Sequence, residues 1–255
     1  DIYNRGEIHQ NWGYEAYHSG LDMGIDPADL DFDSELMRAY STITGGGPFL
    51  SFIITYSGHG AYVDSPVSAR WYDYAAERLP EGTDEMVIHA HAHAHETDLF
   101  LGELVDRLAG DGLLEDTVLV LYADHYNYYT LDNNIVMNEK QVWDQNLITR
   151  TPLIIYEQST PAQKIDKVTS AIDVLPTLVN LFGLASDGTH YVGNDIFSPN
   201  GGTAIFADYS WYDGTTYWNA LGAEAPTEEI NRRSEELKNR LQMSWDTLRY
   251  NYFAD

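Results

Sequence analysis

Four short apolar runs, Pro48–Thr55 (PFLSFIIT), Thr117–Tyr122 (TVLVLY), Pro152–Tyr156 (PLIIY) and Thr203–Ala207 (TAIFA), set the architecture open to this chain. They are continuous rather than alternating, the pattern of strands covered on both faces in a parallel sheet. Helical patterns lie between them. Ser65-Pro66 is a cap followed by a first-turn proline and opens a helix that runs to Leu79. Glu96–Ala109 carries Leu99, Leu101, Leu104, Val105 and Leu108 near helical spacing and stops before Gly110-Asp111-Gly112. Another helical stretch is expected from Thr160-Pro161, continued by Ser170–Phe182 with Pro176 in the first turn of a second helix after a break. Thr227 to about Tyr250 reads as a long polar helix with Glu and Arg/Lys spaced for surface pairs. Strands alternating with helices predict an α/β fold, a mostly parallel sheet with helices on both faces.

At 255 residues and 44% hydrophobic content, the chain can bury a core and is not a disordered segment. Forty acidic residues against 14 basic ones give a formal charge of -26. That balance excludes nucleic acid as a partner and argues against lying on an anionic membrane surface. An anionic substrate is still admissible where a metal ion or a local Arg/His cluster reverses the field. The absence of cysteine removes disulfide and thiolate chemistry. No run reaches the ~20 apolar residues of a membrane span, and no signal-peptide pattern is present. The chain begins at Asp1 rather than a methionine, so a processed product or a fragment is expected.

Ligands in open parallel sheets bind beyond the carboxyl ends of strands. The first run leads into Tyr56-Ser57-Gly58-His59-Gly60, where flanking glycines allow a tight turn that aims the imidazole outward. The second leads into Ala123-Asp124-His125-Tyr126, and a carboxylate beside a neutral imidazole suits zinc or manganese. Taken singly, each is equally readable as a surface turn. The repeat His89-Ala-His-Ala-His-Ala-His95 reads either as a solvated helix start or loop, the reading favoured here, or as a second metal site. Asp173 before Val-Leu-Pro176 reads as a helix-cap carboxylate. The tyrosines at 126, 128 and 129 and at 209, 212 and 217 read as packing and rim residues or as a glycan or headgroup surface. Asn133 and Asn134 are placed in a loop within reach of substrate, and the acidic run from Asp26 to Glu35 on a solvated face.

Taken together, these segments resemble a known family. YADHY (122–126), within Gly112–Tyr126 (GLLEDTVLVLYADHY), resembles the strand-end Asp-His metal motif of the sulfatase and alkaline phosphatase superfamily, in the form found in lipoteichoic acid synthases. The preceding helix with Asp98 and Leu101 fits the same alignment. TYSGHGAY (55–62) resembles the segment with the substrate-side histidine, and Ile172–Gly183 followed by Val192–Phe197 resembles the late helix and its loop. Tyr3-Asn4-Arg5 with Trp12-Gly13-Tyr14 is similar to the segment with the substrate-binding arginine. The motifs follow the family's order over roughly residues 1 to 200.

The resemblance implies an alkaline phosphatase-like α/β fold, incomplete at the N-terminal side. Residues 1–255 would be the C-terminal part of the catalytic domain, with 227–250 a peripheral helix. It implies Asp124 and His125 as ligands of a divalent metal ion, manganese first, with zinc, magnesium or calcium as alternatives. His59 is implied as catalytic and substrate-binding, and Arg5 as substrate-binding. The nucleophilic threonine and a further acidic ligand are expected upstream, so the chain alone is expected to be inactive. The implied partners are a phospholipid-derived substrate and the missing N-terminal part of the same domain. The implied location is the extracellular face of a bacterial membrane. The implied reaction moves phosphoglycerol from phosphatidylglycerol to a lipid- or glycan-linked glycerol phosphate acceptor. A sulfatase, phosphodiesterase or phosphoethanolamine transferase of the same fold, and a non-catalytic binding module, are the alternatives. Two departures stand out: Asn127 in place of the usual glycine after the Asp-His-Tyr motif, and the histidine repeat, which the family does not match.

Overall fold

The computed structural model describes residues 4–130, 132–200 and 202–252, arranged as two compact units, 1–160 and 161–255. The first unit contains α1 (Arg5–Asn11), α2 (Tyr40–Thr44), α3 (Pro66–Ala76), α4 (Glu85–Gly110), β1 (Leu119–Tyr122), α5 (Asn133–Lys140) and β2 (Leu153–Tyr156). The second contains α6 (Val174–Leu181), β3 (Ala204–Ile205), β4 (Trp211–Tyr212), β5 (Tyr217–Trp218) and α7 (Glu228–Arg249). Among the described residues, no helix is long and apolar enough to cross a membrane.

The first unit is built on α4. Its buried Phe100, Leu104 and Leu108 recur at helical spacing and close with Tyr40 and Leu114 into one apolar cluster, against which Leu36, Ile53 and Leu119 pack. Asp84 starts α4 by accepting from the Met86 N–H, so the helix begins eleven residues before the expected Glu96 and contains the whole histidine repeat. Ser65 caps α3 as read from sequence, its hydroxyl accepting from the Ser68 N–H at 3.1 Å.

The α/β class stands, but every strand pair among the described residues is antiparallel. Strands β1 and β2 pair antiparallel, with Leu119 opposite Tyr156 and Tyr122 opposite Leu153. The second unit holds the antiparallel order β3-β4-β5. A continuous apolar run reports burial and not the direction of its neighbour. In β2 the run is not fully buried, since Ile154 and Tyr156 alternate outward. The run at 48–55 is extended but joins no ladder among the described residues. Ile53 turns to the core while Leu50 stays 78% exposed.

In the second unit α6 follows a single 3-10 turn, and Pro176 occupies its first helical turn as expected. The Asp173 carboxylate does not cap α6 itself; it is the partner of Ser170 in a capping box on the preceding 3-10 turn. It accepts from the Ser170 N–H at 2.9 Å and from the Asn194 N–H at 2.7 Å, tying the helix start to the loop Val192–Phe197. Helix α7 buries Leu237, and its Ser234 hydroxyl meets the Trp211 Nε1–H at 2.9 Å. The helical stretch expected from Thr160-Pro161 does not form. The Thr160 hydroxyl that would cap it donates instead to Glu157 at 2.6 Å, closing a turn.

Candidate functional site

Two histidines 66 positions apart in sequence meet in the first unit. His59, at the end of the extended run, and His125, just past β1, have ring centroids 5.9 Å apart at an interplanar angle of 80°. Each is held by an aromatic neighbour. Tyr56 lies parallel to His59 at 5.8 Å, and Tyr128 stacks on His125 at 4.4 Å. The His59 turn closes with the His59 N–H donating to the Tyr56 carbonyl at 2.9 Å. Neither Gly58 nor Gly60 uses a positive φ.

The backbone around each ring fixes its tautomer. His125 Nδ1 lies 2.8 Å from the Tyr126 carbonyl, and His59 Nδ1 meets the Gly60 carbonyl. A carbonyl only accepts, so both Nδ1 atoms carry hydrogen, and in the neutral form of each ring the lone pair lies on Nε2. The Asp124 carboxylate is 88% exposed, and its Oδ1 lies 3.6 Å from His125 Nε2. That is about the separation of two donors on one tetrahedral ion with bonds of about 2.0–2.2 Å. The pair therefore fits a divalent cation as half of a donor set. Among the described residues no group of three or more His, Cys, Asp or Glu side chains could hold one alone.

Two phenols, the exposed Tyr128 and the buried Tyr62, are shifted upward. Burial, then the charge of Asp124 and Tyr126, raises Tyr128, and burial followed by Tyr128 raises Tyr62. Both phenols stay protonated at neutral pH and can donate a hydrogen bond.

Arg5 opens α1 one turn before His9. The His9 ring packs on Phe52 at 5.6 Å, which sets α1 beside the run that ends in His59. Tyr3, the first residue of the arginine motif, lies outside the described residues. Asn133 and Asn134 are not in a loop; they are the first two residues of α5, capped by Asp132.

The histidine repeat is neither a solvated start nor a metal cluster among the described residues. His89 and His93, one turn apart, are 7% and 6% exposed and bond to Ser68 at 2.9 Å and Ser65 at 3.0 Å. His95 stacks on Tyr74 at 3.9 Å, and His91 alone faces solvent. The acidic run at 26–35 is not wholly solvated either. Asp33 is 3% exposed, with its carboxylate under the His59 turn. Nothing in the local sequence marks Asp33 apart from its neighbours, because its donors come from residues 56, 57 and 97.

The chain is similar to known proteins. The chain is 26% identical to lipoteichoic acid synthase 2 of Bacillus subtilis over 95% of its length and 40% of the relative's. It is 24% identical to the lipoteichoic acid synthase of Staphylococcus saprophyticus over 97% of its length and 40% of the relative's. It thus spans about two fifths of these curated relatives. The crystal structure of the lipoteichoic acid synthase LtaP from Listeria monocytogenes superposes with a TM-score of 0.76 at 20% identity. That match covers 98% of this chain and 67% of the other, and establishes the alkaline phosphatase-like fold. The sulfatase family profile matches residues 3–184, and the chain belongs to the sulfatase family.

Proposed function

We propose that His59, Asp124 and His125 form part of the site of a metal-dependent phosphoglycerol transferase. In this reading phosphatidylglycerol is the donor and a lipid- or glycan-linked glycerol phosphate is the acceptor. One observation carries it: the two histidines converge with a carboxylate oxygen 3.6 Å from His125 Nε2. Their Nε2 atoms are the nitrogens left for chemistry. The lipoteichoic acid synthases among the relatives supply the substrate class.

Asp124 and His125 would hold the ion, manganese by preference, through Oδ1 and Nε2. When bound, it would supply positive charge to polarise a phosphoryl oxygen and to lower the pKa of an attacking hydroxyl. The chain's own groups do the rest. His59 keeps Nδ1–H on the Gly60 carbonyl, so Nε2 is the atom that takes up a proton and delivers it to the departing diacylglycerol oxygen. Tyr56 holds that imidazole in plane, and Tyr128 does the same for His125. Arg5 is assigned to the phosphate. On a chain of formal charge -26, an anionic substrate needs these local cations to enter.

The attacking threonine and the remaining metal ligands are assigned to the part of the catalytic domain upstream of these residues. That part also supplies cover for the unpaired run at 48–55. The expected setting is the outer face of a bacterial membrane.

The test uses the protein that contains this chain, incubated with phosphatidylglycerol and manganese. Release of glycerol phosphate or its transfer to acceptor, abolished by chelation and by Asp124→Ala, supports the reading. Calorimetry should show manganese affinity lost in Asp124→Ala. Equal affinity in both proteins removes Asp124 from the site. Hydrolysis of a sulfate ester without action on phosphatidylglycerol replaces the reaction with a sulfatase.

A further inference from the structure

The turn that carries His59 is bound by side chains at four of its backbone polar atoms. The Asp33 carboxylate accepts the Tyr56 N–H on Oδ1 at 2.7 Å and the Ser57 N–H on Oδ2 at 3.2 Å. The same Oδ2 accepts the Thr97 hydroxyl of α4 at 2.7 Å. The Ser57 carbonyl receives His93 Nδ1–H at 2.7 Å, and the Gly58 carbonyl receives the Tyr62 hydroxyl at 2.9 Å. The Ser57 hydroxyl accepts from the Asp33 N–H and donates to the Asp31 carbonyl, both at 2.8 Å. His93 is in turn fixed by the Ser65 hydroxyl at 3.0 Å and by the Tyr62 ring, edge-on at 5.6 Å.

We propose that Asp33, Thr97 and His93 are positioning residues that fix the 56–58 backbone and thereby aim His59 Nε2 at the His125 side of the site. This rests on the reading of His59 as the substrate-side histidine. A folding role alone would call for one or two such bonds. Here Asp33 takes the Tyr56 and Ser57 N–H groups, His93 takes the Ser57 carbonyl, and Thr97 braces the Asp33 carboxylate from α4. Asp33, His93 and Ser57 are buried, so the bonds are made out of competition with water. One carboxylate thus holds two successive amides, at 2.7 Å and 3.2 Å, and restricts the turn to a narrow range of geometries. The third histidine of the repeat read from sequence, His93, thus gains a task that no metal explains.

The experiment pairs isosteric losses with conservative rescues in the protein that contains this chain. Thr97→Val removes only the hydroxyl donor, and Thr97→Ser restores it. His93→Phe removes the ring donor, and His93→Asn returns an amide N–H in place of Nδ1–H. Displacing a catalytic group by about an ångström costs on the order of 10–100-fold in rate. Thr97→Val and His93→Phe should therefore lower kcat by about 10-fold or more with KM within about twofold, and the Ser and Asn variants should recover most of it. Amide exchange read by mass spectrometry should be faster at Tyr56 and Ser57 in the two loss variants, with α4 protection unchanged. Unchanged kcat with unchanged exchange overturns the proposal, as does a loss of kcat that the rescues do not restore. If the wild type does not turn over phosphatidylglycerol, the functional reading fails. The clamp is then decided by exchange and by the proton Overhauser contact between the His59 and His125 rings, which must weaken in Thr97→Val.

Discussion

Glu96 is fully buried in α4, and its replacement is the sharpest stability test of the first unit. Its Oε1 accepts the Ser34 N–H at 3.1 Å and the Ser34 hydroxyl, and its Oε2 accepts the Trp71 indole N–H. The Arg70 guanidinium stands 3.9 Å away, part exposed and seated over the Phe32 ring, so it adds little. Glu96→Gln keeps the volume but turns an NH2 group toward one of the donors, whichever way the amide is flipped. One stranded buried donor costs about 1–3 kcal/mol, so a loss near ~2 kcal/mol is expected. Glu96→Leu strands both the Ser34 N–H and the Trp71 indole, while the Ser34 hydroxyl can rotate away. Two stranded donors place the expected loss at about 3–5 kcal/mol, the range for breaking a buried charged contact. Urea unfolding followed by far- and near-ultraviolet circular dichroism reads both. With a slope of about 2 kcal/mol per molar, the Gln variant should shift the first unit's midpoint by about 1 M. The exposed Asp98→Asn, two positions on, should stay within about 0.5 kcal/mol of wild type. A Leu variant no less stable than the Gln variant would refute the reasoning, because it would mean that the stranded donors carry no cost.

Two further predictions bear on the second unit and on a phenol near the site. A Cβ at Gly193 would sit 1.9 Å from the Ile172 carbonyl oxygen, so Gly193→Ala must move backbone. It should destabilise the second unit by about 1–3 kcal/mol or more, read as a lowered urea midpoint and faster amide exchange in α6. Tyr129 is raised to about 12 from 10.0 by burial and by its bond to Glu139. A raised pKa contributes stability below the unfolded value and loses it as pH climbs from 10.0 through about 12. The wild-type minus Tyr129→Phe absorbance difference at ~295 nm should therefore rise near pH 12. A difference curve centred near 10 would remove that bond.

Much of this was legible from local signals. The motifs at His59 and Asp124-His125 were readable because each lies within a few residues, and the cap Ser65 because capping is local. The run before His59 is not a strand among the described residues, because no neighbour pairs with it there. Pairing direction was not readable, since an apolar run reports only that a face is covered. Asp33 was hidden for a different reason. Burial of a carboxylate depends on donors supplied from residues 56, 57 and 97, and an acidic run elsewhere in the chain looks the same. The histidine repeat misled because alternation with alanine has no helical period of its own. Only the cap at Asp84 and the serines of α3 decide which ring turns inward.

Helix α4 joins these observations. His89, His93, Glu96, Phe100, Leu104 and Leu108 are buried and follow one another at intervals of three or four residues, so they lie on one face. The face changes character along its length. Its C-terminal half is apolar and packs with Tyr40 and Leu114, which supplies non-directional cohesion. Its N-terminal half, with Thr97 beside it, is polar and meets Ser68, Ser65, Trp71, Asp33 and the His59 turn through bonds that hold in one register only. A slip of α4 by one turn, about 5.4 Å, would preserve much of the apolar packing but strand every one of those polar groups. The apolar half therefore keeps the unit folded, while the polar half selects the single alignment in which His59 faces His125.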